Sequence, residues 1–212
     1  MKATKGPVSK VQAVYAATSQ DQQVLAYDAW AQDYERDLRA QGYTIPAHVA
    51  ALFARFTPTD TGPFLDAGCG TGLQVEPLIA AGYRGFTGLD LSAGMLNIAR
   101  QKGMYDTLVQ GALGGRLAFA DNQFAATLTA GTITQGHAPA GSFIDLIRVT
   151  RPGGRLIFAL RCDPGIDREY NQILDDLVHQ GLWQRVYQSP EFPTMPLGET
   201  EIYHKCWVFE VR

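Results

Sequence analysis

The sequence is short of the features that mark several protein classes. It holds only three cysteines, Cys69, Cys162 and Cys206, scattered through 212 residues. An odd set so far apart provides no disulfide framework and no close zinc pair. Positive charge is not in surplus: 18 Lys and Arg stand against 21 Asp and Glu, a net charge of −3. A chain without a basic excess is poorly suited to tracking phosphate backbones, so nucleic acid is not an expected partner. No apolar run approaches the ~18 residues of a membrane span, and no membrane partner is expected. The nearest thing to a targeting segment is the run over residues 11–17, behind Lys2, Lys5 and Lys10. Gln12 interrupts it and Lys10 abuts it, so a cytoplasmic start is expected. Repeats and low-complexity tracts are missing too. Apolar material is plentiful: 46% of residues are hydrophobic and 18% charged, which supports a packed core and argues against disorder. The length fits one domain with a modest extension.

Read in order, the chain opens with helices. Ser19 and Gln22 fit a capping box. Val24, Tyr27, Ala31, Tyr34 and Leu38 follow at spacings of 3, 4, 3 and 4, one face of a single helix. Gly42 is its expected stop. A second helix is expected over residues 48–56, ended by the Pro- and Gly-rich stretch 57–63. Then the period changes. Strands are expected over residues 64–67, 86–90, 106–110, 125–130 and 155–161, with late strands within 202–211. Helices are expected over residues 72–81, 92–102, 139–150 and 166–180, with Ser92 capping the second of them. The turn Arg151-Pro-Gly-Gly154 leads into the fifth strand. Strands alternating with helices imply an α/β fold with a mainly parallel sheet covered on both faces. Such sheets bind ligands beyond the carboxyl ends of their strands, where the strand order reverses.

The densest motif is Asp66-Ala-Gly68-Cys69-Gly70-Thr-Gly72, between an expected strand and an expected helix. Its glycines allow a tight turn and close approach of a ligand to bare backbone. A helix opening at Gly72 would offer unpaired N–H groups to an anion. The spacing is G-x-G-x-G. A dinucleotide fingerprint would place its third glycine at position 73, which is Leu73. Asp90 closes the second strand, where an acidic side chain can accept hydrogen bonds from both hydroxyls of a ribose. The plainer reading is a structural turn plus an aspartate that caps a helix.

At these residues the chain resembles a family. Phe64-Leu-Asp-Ala-Gly-Cys-Gly-Thr-Gly72 is similar to motif I of the class I S-adenosylmethionine (SAM) methyltransferases, and Leu89-Asp-Leu-Ser-Ala-Gly-Met-Leu96 to their second-strand motif. Arg151-Pro-Gly-Gly-Arg-Leu156 is similar to their turn before the fifth strand. Tyr27-Asp-Ala-Trp-Ala-Gln-Asp-Tyr34 resembles the N-terminal cap of small-molecule members. With residues 11–15 it is closest to the methyltransferase-like group of the Williams–Beuren syndrome region. The resemblance implies a Rossmann-like, doubly wound, seven-stranded sheet over residues 58–212, beneath an N-terminal helical cap over residues 1–57. It implies SAM as cofactor, S-adenosylhomocysteine (SAH) as product and a small molecule as methyl acceptor. It places Gly68, Cys69, Gly70 and Gly72 beside the methionine part of SAM, with Asp66 toward its amino group. Asp90 takes the ribose, Leu91 and Met95 pack on the adenine, and Ala112 and Leu113 border its edge. Many relatives carry an acid at that edge; Gln110-Gly-Ala-Leu113 has none. That gap keeps a second reading open, a non-catalytic SAM- or SAH-binding protein acting through a partner. A third, a nicotinamide-dependent oxidoreductase, is disfavoured by the glycine spacing.

Other candidates carry two readings each. Tyr27, Trp30 and Tyr34 either form a lid, in which an aromatic face covers a sulfonium cation, or pack the helix onto the sheet. Gly131 and Thr132, after the fourth strand, are candidates for the cofactor wall. His137 in the same loop is the candidate catalytic base, with an unperturbed pKa of ~6.5 suited to that task; the alternative is an exposed loop histidine. Cys69 is either a reactive thiol at a helix start or a small apolar filler. Arg161, Asp163, Tyr170 and Tyr187 are candidates for an acceptor pocket. His48, His179 and His204 show no ligand spacing and read as structural or surface residues. No metal site is expected.

Overall fold

The structure, a computed structural model, describes residues 10, 14, 17–162, 168–198 and 200–212. Most of the 11–15 segment, Asp163 and the expected start of the helix at Ile166 lie outside the described residues. Three helices lead the chain: α1 (Gln20–Trp30), α2 (Tyr34–Ala40) and α3 (Ile45–Phe56). The alternating part follows as β1 (Phe64–Ala67), α4 (Glu76–Ala80), β2 (Phe86–Asp90), α5 (Ala93–Lys102), β3 (Thr107–Gln110), β4 (Phe124–Thr129), α6 (Ser142–Val149) and β5 (Thr150–Arg161). The chain closes with α7 (Glu169–His179), β6 (Trp183–Gln188), β7 (Phe192–Pro193) and β8 (Tyr203–Val211).

The strands form one sheet in the order β3-β2-β1-β4-β5-β8-β6, with the two-residue β7 attached to β8. The first five run parallel and β8 is antiparallel to its neighbours. This is the mainly parallel, doubly wound sheet expected, with β7 as an addition. Strand alternation divides the core. Leu156, Phe158 and Leu160 of β5 face α6 and α7, while Ile157 and Ala159 face the side that α3 covers. Phe53 of α3 meets Phe64 edge-on at 5.2 Å between ring centres. Of the first 57 residues, then, α3 belongs to the layer packed on the sheet, while α1 and α2 stand beside the carboxyl ends of the strands.

Three expectations are corrected. The first helix is not continuous. Ser19 does accept from the Gln22 N–H at 3.3 Å, but the Gln22 side chain takes the N–H of Thr18 rather than that of Ser19. Residues 31–33 then form a turn, with the Asp33 N–H returning to the Trp30 carbonyl. The bend turns Trp30 inward onto Val14, Leu38 and Met195, and its indole N–H donates to Asp37 at 3.0 Å. The helix after the glycine loop begins at Glu76, not Gly72, with Pro77 in its first turn. Proline fits there because it lacks the N–H that a first turn leaves unpaired. Strand β6 was not expected at all: only Trp183 is buried along it, because it is a sheet edge paired on one side.

One carboxylate joins α1 to the N-terminus of α5. Asp28 of α1 accepts from Ser92 Oγ at 2.5 Å and from the Gly94 N–H at 2.8 Å, at the N-terminus of α5. A negative charge is favourable there because first-turn N–H groups have no helical partner. The approach needs a glycine: a Cβ at position 94 would lie 2.9 Å from Asp28 Cα. Gly94→Ala should therefore lift α1 off α5 while the sheet keeps its fold, since alanine favours the helix itself by about 1 kcal/mol. Hydrogen exchange should show faster exchange confined to residues 20–30; unchanged protection there would mean the contact does not hold the cap.

Candidate functional site

The loop after β1 is built by its glycines. Gly68 has φ +77° and Gly70 φ +53°, left-handed values that favour glycine. A Cβ on Gly68 would lie 2.2 Å from Thr132 Oγ1, so the β1 and β4 loops touch at bare backbone. A Cβ on Gly70 would meet nothing within 4 Å; it would project into open space. That space is a cavity of about 470 Å³ at the carboxyl ends of β1, β2, β3 and β4. Its wall includes Gly68, Cys69 and Gly70 after β1, Asp90, Leu91 and Met95 after β2, Ala112 and Leu113 after β3, and Gly131, Thr132 and His137 after β4. From the cap come Tyr27 and Tyr34.

Two residues expected in the site stand behind that wall. Gly72 packs against Met104 and Tyr105, with a Cβ there only 2.7 Å from Met104 Cε. Asp66 is fully buried beneath the loop, where it accepts from Gln74 Nε2 at 2.8 and 3.0 Å and from the Tyr105 hydroxyl at 2.6 Å. Burial pushes its carboxyl up to about 7, against the two hydrogen bonds that favour its charge and with the nearby Asp90 adding to the rise. Gln74 lines the cavity and carries the contact outward. Gln74, Thr71 and Tyr43 also line it; Gln74 falls where spacing predicts a helix, and Tyr43 lies far from the glycine loop in sequence, so spacing carries no signal for either.

Asp90 is a tethered carboxylate. One oxygen accepts from the Gly70 N–H at 2.8 Å and the other from the Ser92 N–H at 2.9 Å. Each carboxylate oxygen has a second lone pair, so both retain capacity for a ligand hydroxyl. Burial raises its pKa, and the backbone N–H groups of Ser92, Gly70 and Leu91 oppose that rise. The adenine-edge segment lacks an acid, and Gln110 is turned away to donate to the Leu91 carbonyl at 3.1 Å.

His137 is not a solvent-exposed loop residue. It is half-buried, and its Nε2 lies 2.8 Å from the Tyr27 hydroxyl. Burial lowers its pKa, which favours the neutral ring. Gln23 Nε2 donates to the Gly136 carbonyl one residue earlier. Helix α1 is thus tied across the cavity to the β4 loop at two points. Cys69 is buried, and burial pushes its thiol well above the usual range, which accords with a small apolar filler rather than a reactive thiol. Tyr170, in the first turn of α7, donates to the Ala138 carbonyl at 3.4 Å, and Tyr187 packs on Phe56; neither lines the cavity. Arg161 and His204 line a smaller chamber beside it.

The glycine cradle, the tethered acid and the space between them fit an adenosyl ligand with an amino-acid tail. A family model described as a methyltransferase domain matches residues 65–158. The chain belongs to the class I SAM-dependent methyltransferases, and its cofactor is SAM. Methyltransferase-like protein 27 of Homo sapiens is 30% identical over 192 residues, spanning 86% of this chain and 76% of that protein. Demethylmenaquinone methyltransferase of Paenarthrobacter aurescens (strain TC1) is 34% identical over 138 residues, 65% of this chain but only 48% of that enzyme. Among solved structures, a SAM-dependent methyltransferase from Thermotoga maritima superimposes with a TM-score of 0.60 at 18% identity, over 85% of this chain and 96% of that one, a likeness of fold. Among the described residues no helix is long and apolar enough to cross a membrane.

Proposed function

We propose that this methyltransferase acts on a small molecule enclosed between the cap and the carboxyl ends of β4 and β5. The observation that carries this reading is the pair of adjoining cavities. The larger fits the cofactor, and the smaller, of about 60 Å³, shares Tyr27, Tyr34, Tyr43, Gly131 and His137 with it. Curated relatives that bear the name demethylmenaquinone methyltransferase support a small acceptor. The net charge of −3 gives no support to nucleic acid.

SAM supplies an activated methyl on a cationic sulfur when bound. The protein's own work is to hold, align and exclude. Gly68 and Gly70 pass backbone beside the amino-acid tail, and Gln74, held by Asp66, offers that tail a polar side chain. Asp90 would accept from the ribose hydroxyls, Leu91 and Met95 would pack on the base, and Leu113 would border its edge. Tyr27 and Tyr34 place aromatic faces where a sulfonium is stabilised by cation–π attraction. Alignment of the reacting atoms at about 3–3.5 Å supplies much of the rate, and the cap keeps water out. His137, neutral and hydrogen-bonded to Tyr27, accepts the proton of an acceptor that must lose one.

Calorimetric titration with SAM and SAH, with NAD(P) as control, is the first test. Binding of SAM and SAH but not NAD(P) is expected, followed by SAH release with members of a small-molecule panel. SAM binding together with methylation of RNA or protein alone would overturn the small-acceptor reading.

A further inference from the structure

Behind the glycine loop a buried carboxylate is held by neutral groups. The side-chain partners of Asp66 among the described residues are the Gln74 amide and the Tyr105 hydroxyl, which donates at 2.6 Å. Two glycines make room for Tyr105. A Cβ at Gly72 would lie 3.2 Å from the ring's Cε2 and from its hydroxyl, and one at Gly88 of β2 would lie 3.0 Å from its Cδ1. The ring fills the space that bare backbone leaves between β2 and the loop.

The Gln74 amide has one favourable orientation. Its Nε2 lies within reach of four oxygens: both of Asp66 at 2.8 and 3.0 Å, the Cys69 carbonyl at 3.3 Å and the Gly68 carbonyl at 3.5 Å. Turned over, the amide would set its own oxygen against all of them, so the N–H₂ group belongs on that side. Oε1 is left at the other end of an amide that lines the cofactor cavity, and among the described residues no donor reaches it. A desolvated carboxylate held by neutral donors is costly, and a cation within range offsets that cost. An amide held by an anion is also polarised, which strengthens its carbonyl as an acceptor.

We infer that Tyr105 is a positioning residue for the α-ammonium group of the cofactor, acting through Asp66 and through Gln74, whose Oε1 accepts from that ammonium. The inference rests on the placement of the amino-acid tail proposed above and names the residues that read its positive charge. Tyr105 itself does not line the cavity. Its hydroxyl favours the charged form of Asp66, against the burial that pushes this carboxyl up to about 7. The other titratable groups facing Asp66 are Asp90, whose charge adds to the rise, and Cys69; burial pushes the Cys69 thiol and the Tyr105 phenol well above their usual ranges. A bound ammonium favours the carboxylate, so recognition of the tail strengthens as pH rises through 7.

The test is calorimetric titration of the full chain with SAH and with its desamino analogue, in which hydrogen replaces the α-amino group and the carboxylate remains. Asp90 meets both ligands alike, so its titration cancels in the comparison. Wild type is expected to prefer SAH by roughly tenfold or more at pH 7.5, and by less at pH 5.5. Tyr105→Phe keeps the ring. It should cut the preference by about threefold at pH 7 and move its midpoint to higher pH, with affinity for the analogue unchanged. Gln74→Met should erase the preference at every pH. Equal binding of the two ligands by wild type, a Tyr105→Phe protein with the wild-type preference and midpoint, or an equal loss of both ligands in that variant would each overturn the inference. Failure of wild type to bind either ligand would instead remove the placement of the cofactor on which it rests.

Discussion

Asp90→Ala is expected to weaken SAM and SAH binding by roughly 100-fold, the loss that follows from removing charge-assisted hydrogen bonds to two ribose hydroxyls. The wild-type carboxylate does two things at once. In the proposed function it presents acceptors to the ligand, and in the structure it ties the Gly70 and Ser92 N–H groups that shape the rim. Alanine removes both. Asp90→Asn keeps the shape and one acceptor oxygen but sets an N–H₂ group against one of those backbone donors, so an intermediate affinity is expected. Calorimetry on variants shown to be folded by circular dichroism is the measurement. A folded Asp90→Ala protein with wild-type SAM affinity would remove Asp90 from the site.

The second large effect concerns Asp66 and pH. Its carboxyl stands at about 7 in the folded chain against 3.8 as the ordinary value, burial being the main cause. A folded pKa above the unfolded one means that the native state holds the proton more tightly. The associated stabilisation is complete below about pH 4 and is lost as pH rises through 7. Asp66→Asn mimics the protonated form at every pH, so the difference in stability between wild type and variant should shift in the variant's favour across that window. The shift amounts to at most about 4 kcal/mol. Asp90, also raised by burial, contributes with the same sign in both proteins and largely cancels. Urea melts from pH 4.5 to 8 measure this directly. A difference that does not change with pH would show that Asp66 is ionised throughout.

Much of this was legible in the sequence because backbone geometry demanded particular residues. Gly68 and Gly70 adopt positive φ, Ser92 accepts from the Met95 N–H as the cap of α5, and Asp90 ends a strand whose register delivers it to the cavity rim. These are local requirements, and local sequence records them. The bend at residues 31–33 was not legible, since a 3-4-3-4 spacing looks the same whether a helix continues or restarts on a similar heading. Nor was the retreat of Asp66 behind the wall. The motif announces an acid, but the partners that hold it, Gln74 and Tyr105, come from a turn and a distant loop. His204, expected as a structural or surface residue, is buried and held by Thr194, and its pairing with Arg161 exists only in the register of β5 with β8.

Ser92 sits where three contacts meet: its hydroxyl caps α5 and serves Asp28 of α1, while its N–H restrains Asp90. A side-chain substitution at this one position removes the cap of α5 and the tie to Asp28 together, while the main-chain N–H to Asp90 is kept by any residue but proline. Threonine, which keeps the hydroxyl, would preserve both side-chain contacts. In a mutational screen, position 92 would therefore be sensitive to loss of a capping side chain although it does not line the cavity.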